Sequence, residues 1–203
     1  MSIIVRSFEF SDLECVVNLH LECFEGYFLS KLGRHFLSAY YRVYLKFGFI
    51  NFVAVENDNI VGFVFGYKNF IQFNQELKRN FIYFIFPLCL CLLKLSIYKE
   101  FFYKLYNVFF KEKVNVVYEQ PNNVYEISSL CVSKKSQGRG IGSMLIEKSI
   151  NFSLKDNARG VCIITDKLNN KNTIYFYESL GFKFHQEFIQ GENRLMLVLL
   201  KLL

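Results

Sequence analysis

Hydrophobic residues in the first part of the chain follow both strand and helix periodicities. A short apolar run over 3–6 predicts a first strand. Ser11 and Glu14 have the spacing of a capping box, and apolar residues at helical intervals after them predict a helix over 12–24. A similar stripe predicts a second helix over 30–46.

Two runs rich in β-branched and aromatic residues come next, over 49–56 and 60–67. The residues between them, Asn57-Asp58-Asn59, are typical of turns, so this stretch predicts a β-hairpin. Residues 68–118 then change character, since they combine Phe, Tyr, Leu and Lys with helical periodicity. We expect two or three helices there.

The last part of the chain alternates between strand and helix patterns. The predicted elements are, in chain order, a strand over 124–132, a helix over 142–154, a strand over 160–165, a helix over 172–180 and a hairpin of strands over 182–188 and 194–200. Gly181 is expected to end the last helix. A strand–helix–strand unit implies that its two strands are parallel, so the sequence predicts a mixed α/β sheet.

Composition limits the class of protein. A chain of 203 residues is expected to form one domain, and 52% hydrophobic with 21% charged residues excludes general disorder. The net charge of +6 is too small to indicate a nucleic-acid partner. The apolar run over 81–93 is shorter than the roughly 20 residues of a membrane-spanning helix.

The cysteines and the N-terminus predict a cytoplasmic protein. The six cysteines include no CxxC pair and no Cys/His cluster with zinc spacing, so we predict no metal site. We expect buried thiols in a reducing compartment. The first residues lack a basic segment followed by an apolar one, and therefore predict no secretory signal.

Three glycines, Gly138, Gly140 and Gly142, connect the predicted strand over 124–132 to the helix after it. Glycine permits positive φ and close backbone approach, and a helix N-terminus attracts anions. Arg139 and two nearby lysines add positive charge, so the turn predicts a phosphate-bearing ligand. It is neither a P-loop, which has Lys-Ser/Thr here, nor a Rossmann fingerprint, whose third glycine is replaced by Ser143.

Two segments, LCVSKKSQGRGIGSMLIEKSI and NKNTIYFYESLGF, together resemble the GNAT superfamily of acetyl-CoA-dependent N-acetyltransferases. The first matches that family's pyrophosphate loop, Q/R-x-x-G-x-G/A, and the second matches its N-x-x-x-x-x-x-Y-x-x-x-G-F block. The resemblance covers 124–188, and the elements predicted over 1–67 are in the family's order. It implies an α/β (α+β) fold, a mixed twisted sheet flanked by helices, that opens between two parallel strands. Only 68–118 has no counterpart in the common core, which predicts a helical insertion in a single domain over 1–203.

The resemblance implies roles for the residues that match the motifs. The pantetheine arm of acetyl-CoA is expected along the backbone of one cleft strand, and its pyrophosphate on the amides of the glycine turn. The implied cofactor-binding residues are Leu130, Cys131, Val132, Gln137, Gly138, Arg139, Gly140, Ile141, Gly142, Ser143, Asn170 and Tyr177. Tyr177 matches the tyrosine that protonates the leaving thiolate, whereas Tyr175 is expected in the core.

The reaction also requires a base, because an ammonium group must lose a proton before it can attack the thioester. Glu126 lies four residues before Leu130, where some family members carry a glutamate base. Strand alternation predicts that Glu126, Ser128 and Leu130 share a face. Two alternatives remain open at this point: Glu126 is a solvated residue at a strand edge, or Asp166 is the base.

Residues 68–118 hold eight basic and three acidic residues, and so contribute +5 of the net charge of +6. Basic residues that alternate with aromatic ones on helices favour peripheral contact with a membrane. The alternative is a helical cap that packs on the core or forms a homodimer, with its lysines merely solvated.

The acceptor is a primary amine of open identity. The segment FEGYFLSKLGRHFLSAYY followed by an apolar helical insertion resembles GNAT members associated with cell-surface polysaccharide synthesis, which implies an amino sugar or nucleotide amino sugar. The second motif also resembles that of ribosomal-protein acetyltransferases, which implies a protein N-terminus instead. A third alternative is a non-catalytic module that binds acyl-CoA or a membrane.

Overall fold

One mixed sheet of seven strands forms the centre of the part of the chain that the computed structural model describes, residues 2–46, 48–80, 82–84, 120–190 and 194–203. The strands are β1 Ile4–Ser7, β2 Ile50–Glu56, β3 Asn59–Tyr67, β4 Val124–Val132, β5 Gly160–Asp166, β6 Lys183–Gln190 and β7 Arg194–Leu202. Their order across the sheet is β1-β2-β3-β4-β5-β7-β6. Only β4 and β5 pair in parallel among these strands, as the strand–helix–strand pattern predicts.

Helices cover both faces of the sheet. The α-helices of the described ranges are α1 Leu13–Cys23, α2 Phe28–Lys31, α3 Arg34–Arg42, α4 Phe70–Arg79, α5 Ile141–Lys155 and α6 Lys171–Ser179. The first four contribute to one hydrophobic cluster together with Phe63, Phe65 and Tyr67 of β3. Helices α5 and α6 contribute to a second cluster, which contains Val64 of β3 and Ile127 of β4. Because strand residues alternate between faces, neighbouring positions of β3 belong to opposite layers of the core.

The N-terminal helices differ from the prediction in two places. A 3₁₀ turn over Phe10–Asp12 precedes α1, and the capping interaction runs from the Glu9 amide to Asp12 Oδ2 at 2.8 Å. The predicted capping box of Ser11 and Glu14 is therefore wrong, although the helix itself is found. The predicted helix over 30–46 is interrupted at Gly33, whose φ of 83° is left-handed and ends the short α2 before α3 begins.

The two predicted hairpins and the central elements are found. Asn57 and Asp58 connect β2 to β3 with φ of 48° and 60°, and such positive values at both central residues are those of a type I′ turn. Gly181 has a φ of 86° and follows the end of α6, as expected for a helix stop.

The first part of the predicted insertion packs against the core. Asn69 caps α4, because its Oδ1 accepts from the amides of Ile71 and Gln72. Phe73 and Leu77 of this helix are buried. Beyond it, Phe84 is buried against the ring of Phe36 on α3, with centroids 5.1 Å apart. The described residues over 70–84 thus fit the cap interpretation, while the further helices predicted up to 118 lie outside the described residues.

The cysteine prediction is wrong for three residues. Cys23, at the end of α1, and Cys131 of β4 are paired as a disulfide, with Cα atoms 6.5 Å apart. The two residues are 108 positions apart, so no local spacing signals their proximity. Cys15 is exposed rather than buried.

No helix within the described ranges combines the length and the apolar character that crossing a bilayer requires. Most of the apolar run over 81–93 falls outside those ranges.

Candidate active site

The parallel strands β4 and β5 separate towards their carboxyl ends. They pair from Val124 opposite Gly160 to Ile127 opposite Ile163. The pairing then stops, although β4 continues to Val132 and β5 to Asp166. The backbone of Leu130, Cys131 and Val132 is therefore not paired with β5, as the predicted cleft between the two strands requires.

The glycine turn has the geometry of an anion-binding helix start. Gly138 and Gly140 have φ of 74° and 76°, and Gly140 directly precedes the first residue of α5, Ile141. A Cβ atom at either glycine would meet no atom within 4 Å. The backbone there is open, and glycine is favoured by the left-handed conformation rather than by packing. The residues therefore fit the pyrophosphate of acetyl-CoA on the amides that begin α5.

Gly142 has a different role from the other two glycines of the turn. A Cβ atom at this position would lie 3.1 Å from Cζ of Phe176 on α6. The glycine thus permits α5 and α6 to pack closely, which its place in the motif does not reveal.

The side chains of Arg139 and Gln137 hold the turn in place. The Arg139 guanidinium donates to both carboxylate oxygens of Glu56, at 2.8 Å and 2.6 Å. Gln137 Nε2 donates to the carbonyl of Val132 at 3.1 Å. These contacts connect the turn to the ends of β2 and β4, so both side chains position the loop.

Glu126 is buried in the middle of the sheet rather than solvated at an edge. Its exposed fraction is 9%, and β4 lies between β3 and β5. The strand register places Tyr67 opposite Glu126, and the Tyr67 hydroxyl donates to Glu126 Oε1 at 2.6 Å. Burial raises the pKa of Glu126 to about 7, although the Tyr67 hydrogen bond acts in the opposite direction. A carboxylate with this pKa is suited to accept a proton near neutral pH.

A bulge in β4 separates the carboxylate from the predicted pantetheine-binding residues. Gly66 pairs with Ile127 and Phe65 with Ser129, which leaves Ser128 as an extra residue. Leu130 therefore packs in the same cluster as Ile127, on the α5 and α6 side of the sheet. The prediction that Glu126 and Leu130 share a face is wrong, because strict alternation does not continue across a bulge.

Gly66 makes this bulge possible. A Cβ atom there would lie 2.4 Å from the carbonyl oxygen of Glu126, a distance that no side chain tolerates. The absence of a side chain at Gly66 thus permits the backbones of β3 and β4 to approach closely beside the candidate base.

Glu126 lies in the wall of a cavity of about 340 Å³. The cavity is bordered by α2, α3 and α4 on one side and by Ile127, Ser128 and Ile164 on the other. Since Ile127 is the last β4 residue that pairs with β5, the cavity extends to the point where the two strands separate. An amine bound here would reach the cleft beside the carboxylate.

Tyr67 is the site residue that the sequence interpretation missed. It ends the second strand of the first hairpin, and only the register of β3 on β4 places it opposite Glu126. The available signal was the Gly66-Tyr67 pair at the end of a strand, since glycine within a strand indicates close backbone approach.

Tyr177 is buried on the other side of the sheet. Its exposed fraction is 6%, and its ring packs against Phe176 and Phe182 with centroids 5.0 Å and 5.9 Å away. Burial raises the pKa of Tyr177 above its usual value near 10, so the phenol stays protonated as an acid must. Tyr175 is 73% exposed, and its expected place in the core is wrong because two residues turn a helix through about 200°.

Asp166 and Asn170 are engaged at the end of β5. Both oxygens of Asp166 accept from Arg194, at 2.5 Å each. Nδ2 of Asn170 donates to Thr165 Oγ1 at 2.6 Å and to the Asp166 carbonyl at 3.0 Å. Both oxygens of Asp166 are thus occupied by Arg194, and Asp166 does not line the cavity that Glu126 borders, so the geometry favours Glu126 over Asp166 as the base.

Among the described residues, no group of three or more His, Cys, Asp or Glu side chains is arranged to hold a metal ion. Of the candidate proton-transfer groups, the carboxyl of Glu126 and the phenol of Tyr67 line the cavity, whereas Tyr177 lies in the core layer of α5 and α6.

Known structures share this fold at low sequence identity, which establishes the architecture alone. NAA60 of Arabidopsis thaliana, solved in complex with acetyl-CoA, aligns over 100% of both chains with 18% identity and a TM-score of 0.62. The ribosomal-protein-S18-alanine N-acetyltransferase of Escherichia coli aligns over 99% of this chain and 94% of its own, with 12% identity and a TM-score of 0.61. These neighbours confirm the predicted fold class.

Sequence comparison gives the family. An uncharacterised N-acetyltransferase from Methanocaldococcus jannaschii is 34% identical over 77 residues, which span 38% of this chain and 33% of that protein. This match therefore covers about a third of the relative's length. The profile of the Acetyltransferase (GNAT) family matches residues 13–182. With the splayed strands and the open glycine turn, this match confirms the predicted family of acetyl-CoA-dependent acyltransferases: the chain belongs to the GNAT acetyltransferase family.

Proposed function

We propose that this chain moves an acetyl group from acetyl-CoA to a primary amine by direct attack in a ternary complex. The observation that carries the proposal is the buried carboxyl of Glu126, with a pKa of about 7, in the wall of a cavity that reaches the splayed strands. A buried ionisable group is costly to retain, and such groups concentrate at functional sites.

Glu126 accepts the first proton. Its Oε1 is occupied by the Tyr67 hydroxyl, and Oε2 has no hydrogen-bond donor among the described residues. An ammonium group in the cavity loses a proton to this oxygen, directly or through a water, and its nitrogen lone pair then forms the new C–N bond.

Tyr177 supplies the second proton. The thioester C–S bond breaks as the amide forms, and the sulfur leaves as a thiolate. The protonated phenol of Tyr177 donates to that sulfur, so the reaction yields a neutral thiol and an acetylated amine. Because Glu126 and Tyr177 belong to opposite layers of the core, we propose that acid and base approach the cleft from opposite faces.

The acceptor has two candidates from the sequence. An amino sugar or nucleotide amino sugar stays a prediction that rests on resemblance. A protein N-terminus is supported by the names of two similar structures, the S18-alanine acetyltransferase of Escherichia coli and the ribosomal-protein-alanine N-acetyltransferase of Brucella melitensis. Non-catalytic acyl-CoA binding is disfavoured, because binding alone does not require a buried carboxyl beside the cleft.

The location of the protein stays a prediction. We propose that the protein is cytoplasmic and forms a single domain over 1–203, with an insertion over 68–118. The roles proposed for the insertion are peripheral contact with a membrane or formation of a homodimer. The burial of Phe73, Leu77 and Phe84 supports a cap that packs on the core. Sedimentation with anionic liposomes tests membrane contact, and light scattering tests the dimer.

Thiol release from acetyl-CoA in the presence of primary amines tests the proposed function. The panel contains amino sugars, nucleotide amino sugars, polyamines, arylalkylamines and short peptides, and mass spectrometry identifies the acetylated product. We expect amine-dependent thiol release with at least one class. Acetyl-CoA binding without release for every amine would favour the non-catalytic alternative.

A further inference from the structure

We propose that the acceptor is a primary amine carried on an aromatic or similarly bulky apolar group. This inference rests on the proposed function, since it places the amine of the acceptor beside Glu126. It commits to a substrate class that neither candidate from the sequence specifies.

Aromatic side chains are the largest group in the described wall of the cavity, and aliphatic ones make up most of the rest. They come from α2, α3, α4 and the segment after α4, and they surround the space opposite the splayed strands. These aromatic residues are Phe28, Phe36, Tyr40, Phe70, Phe73 and Phe84. Such walls pack favourably against another ring, and their faces attract a cation. At about 340 Å³ the cavity is near the lower end of the roughly 300–1,000 Å³ of ligand pockets, so it suits one compact group.

The charge of the cavity wall favours a cationic ligand over an anionic one. Glu126 is the only charged side chain among the described residues that line the cavity, and no described Lys or Arg lines it. A carboxylate attracts the ammonium form of an amine and orients its nitrogen. The diphosphate of a nucleotide sugar would find no cation among the described residues of this wall to offset its desolvation.

Most hydroxyls in the wall are already bonded within the protein. The Tyr67 hydroxyl donates to Glu126, and Ser128 Oγ donates to the carbonyl of Phe65 at 3.1 Å. The Tyr40 hydroxyl is hydrogen-bonded to that of Tyr44 at 3.2 Å. Only the amides of Asn74 and Gln190 remain as further polar side chains of the described wall. A sugar ring would bury several hydroxyls with too few partners, at a cost for each.

A binding experiment tests the preference for an aromatic amine independently of turnover. Dissociation constants for the wild-type chain are measured by calorimetry for 2-phenylethylamine, ethylamine and glucosamine. Ethylamine has the same ammonium group without the ring. We expect 2-phenylethylamine to bind at least about tenfold more tightly than ethylamine, because ring burial adds favourable transfer free energy. Glucosamine is expected to bind no better than ethylamine.

Two arginine variants on α4 locate the binding site. Asn74 lines the cavity, whereas Gln75, its neighbour, is exposed and does not. Asn74→Arg places a second positive charge beside the bound ammonium and is expected to weaken 2-phenylethylamine binding about tenfold or more. Gln75→Arg adds the same charge outside the cavity and is expected to leave binding unchanged. Circular dichroism of both variants verifies the fold.

The outcomes separate the inference from the proposed function. Equal binding of the three amines, or equal effects of the two arginine variants, would overturn the inference. Selective binding of 2-phenylethylamine without thiol release for any amine would support the cavity's preference for an aromatic amine but contradict the proposed function, and with it the role of that amine as acceptor. Thiol release mainly with glucosamine would support the proposed function and overturn the inference.

Peptides identify the source of the aromatic amine. A tripeptide with N-terminal Phe is compared with the same peptide beginning with Ser and with free 2-phenylethylamine. Preference for the Phe peptide over the free amine assigns the site to protein N-termini. Preference for the free amine assigns it to a small metabolite.

Discussion

The Tyr67 hydroxyl donates a hydrogen bond to Oε1 of Glu126 across the β3–β4 pair, at 2.6 Å. This contact fixes the carboxyl at the wall of the cavity and stabilises its ionised form. Burial has the opposite and larger effect, so the pKa of Glu126 is raised to about 7. The pair thus combines the proposed base, whose pKa lies near neutral pH, with a residue that positions it.

Replacement of Tyr67 by Phe should shift the pH profile rather than abolish activity. The loss of the hydrogen bond leaves burial unopposed, so the pKa of Glu126 rises and the acidic limb of kcat/KM moves to higher pH. At a pH above that limb, activity should return to within a few-fold of the wild-type value.

Tyr125→Phe is the matched control for that experiment. Tyr125 precedes Glu126 on β4, but its hydroxyl bonds to Asp156 Oδ2 at 3.1 Å and its ring packs in the other layer of the core. Removal of the Tyr125 hydroxyl should leave the acidic limb of the kcat/KM profile at the wild-type pH. A Tyr67→Phe profile that is lowered uniformly, with no shift in pH, would mean that Tyr67 does not act through Glu126.

Glu126→Gln should make the protein more stable at alkaline pH. The pKa of Glu126 is about 7 in the folded state against 4.5 for the unperturbed group, so the folded chain binds the proton more tightly. The wild type therefore loses stability as pH rises through this window, by on the order of 3 kcal/mol in total. Glutamine does not titrate and still offers an oxygen to Tyr67.

Thermal unfolding of both proteins at pH 5 and pH 8 measures this effect. The melting temperature of the Gln variant should exceed that of the wild type by several degrees more at pH 8 than at pH 5. An equal difference in melting temperature at the two pH values would show that ionisation of the buried Glu126 carboxyl does not destabilise the folded protein.

Tyr177→Phe should lower kcat by about 10²–10⁴-fold with little change in the KM for acetyl-CoA. The substitution removes only the proton that the leaving thiolate requires, while the buried ring keeps its packing against Phe176 and Phe182. Tyr175→Phe is the control, because Tyr175 lies on the same helix but is exposed. Similar turnover in the two variants would rule out Tyr177 as the acid.

Two glycines of the turn should respond differently to alanine. Gly140→Ala strains a backbone with φ of 76° without filling any contact, so it should raise the KM for acetyl-CoA several-fold by displacing the amides that begin α5. Gly142→Ala brings a Cβ atom to 3.1 Å from Phe176 and should mainly lower stability. Steady-state kinetics and thermal melts distinguish them, and equal changes in KM would contradict the proposed amide site.

Local pattern predicted most of the architecture. The hairpin at Asn57-Asp58, the parallel pair around α5 and the helix stop at Gly181 follow from turn chemistry and periodicity, which act over a few residues. The break at Gly33 was missed because helical periodicity continues across it, and only its φ of 83° separates α2 from α3.

The candidate site was predicted only in part, because its decisive contacts are long-range. The motifs located the glycine turn and Tyr177, and resemblance pointed to Glu126. The bulge at Ser128 and the partner Tyr67 depend on the register of β3 on β4, which connects residues 59 positions apart. The aromatic cavity likewise brings α4 against the adjacent helices α2 and α3, about 30 residues earlier in the chain, so periodicity could identify its residues only as core.

The pH dependence of kcat/KM for wild type and Glu126→Gln tests the central claim most directly. An acceptor amine from the active class is used at saturating acetyl-CoA. The account predicts a wild-type profile that rises through a pKa of about 7 and a Gln variant that lacks this limb and is about 10²-fold or more slower at pH 8. A Gln variant that keeps the same limb and rate would contradict the assignment of Glu126 as the base.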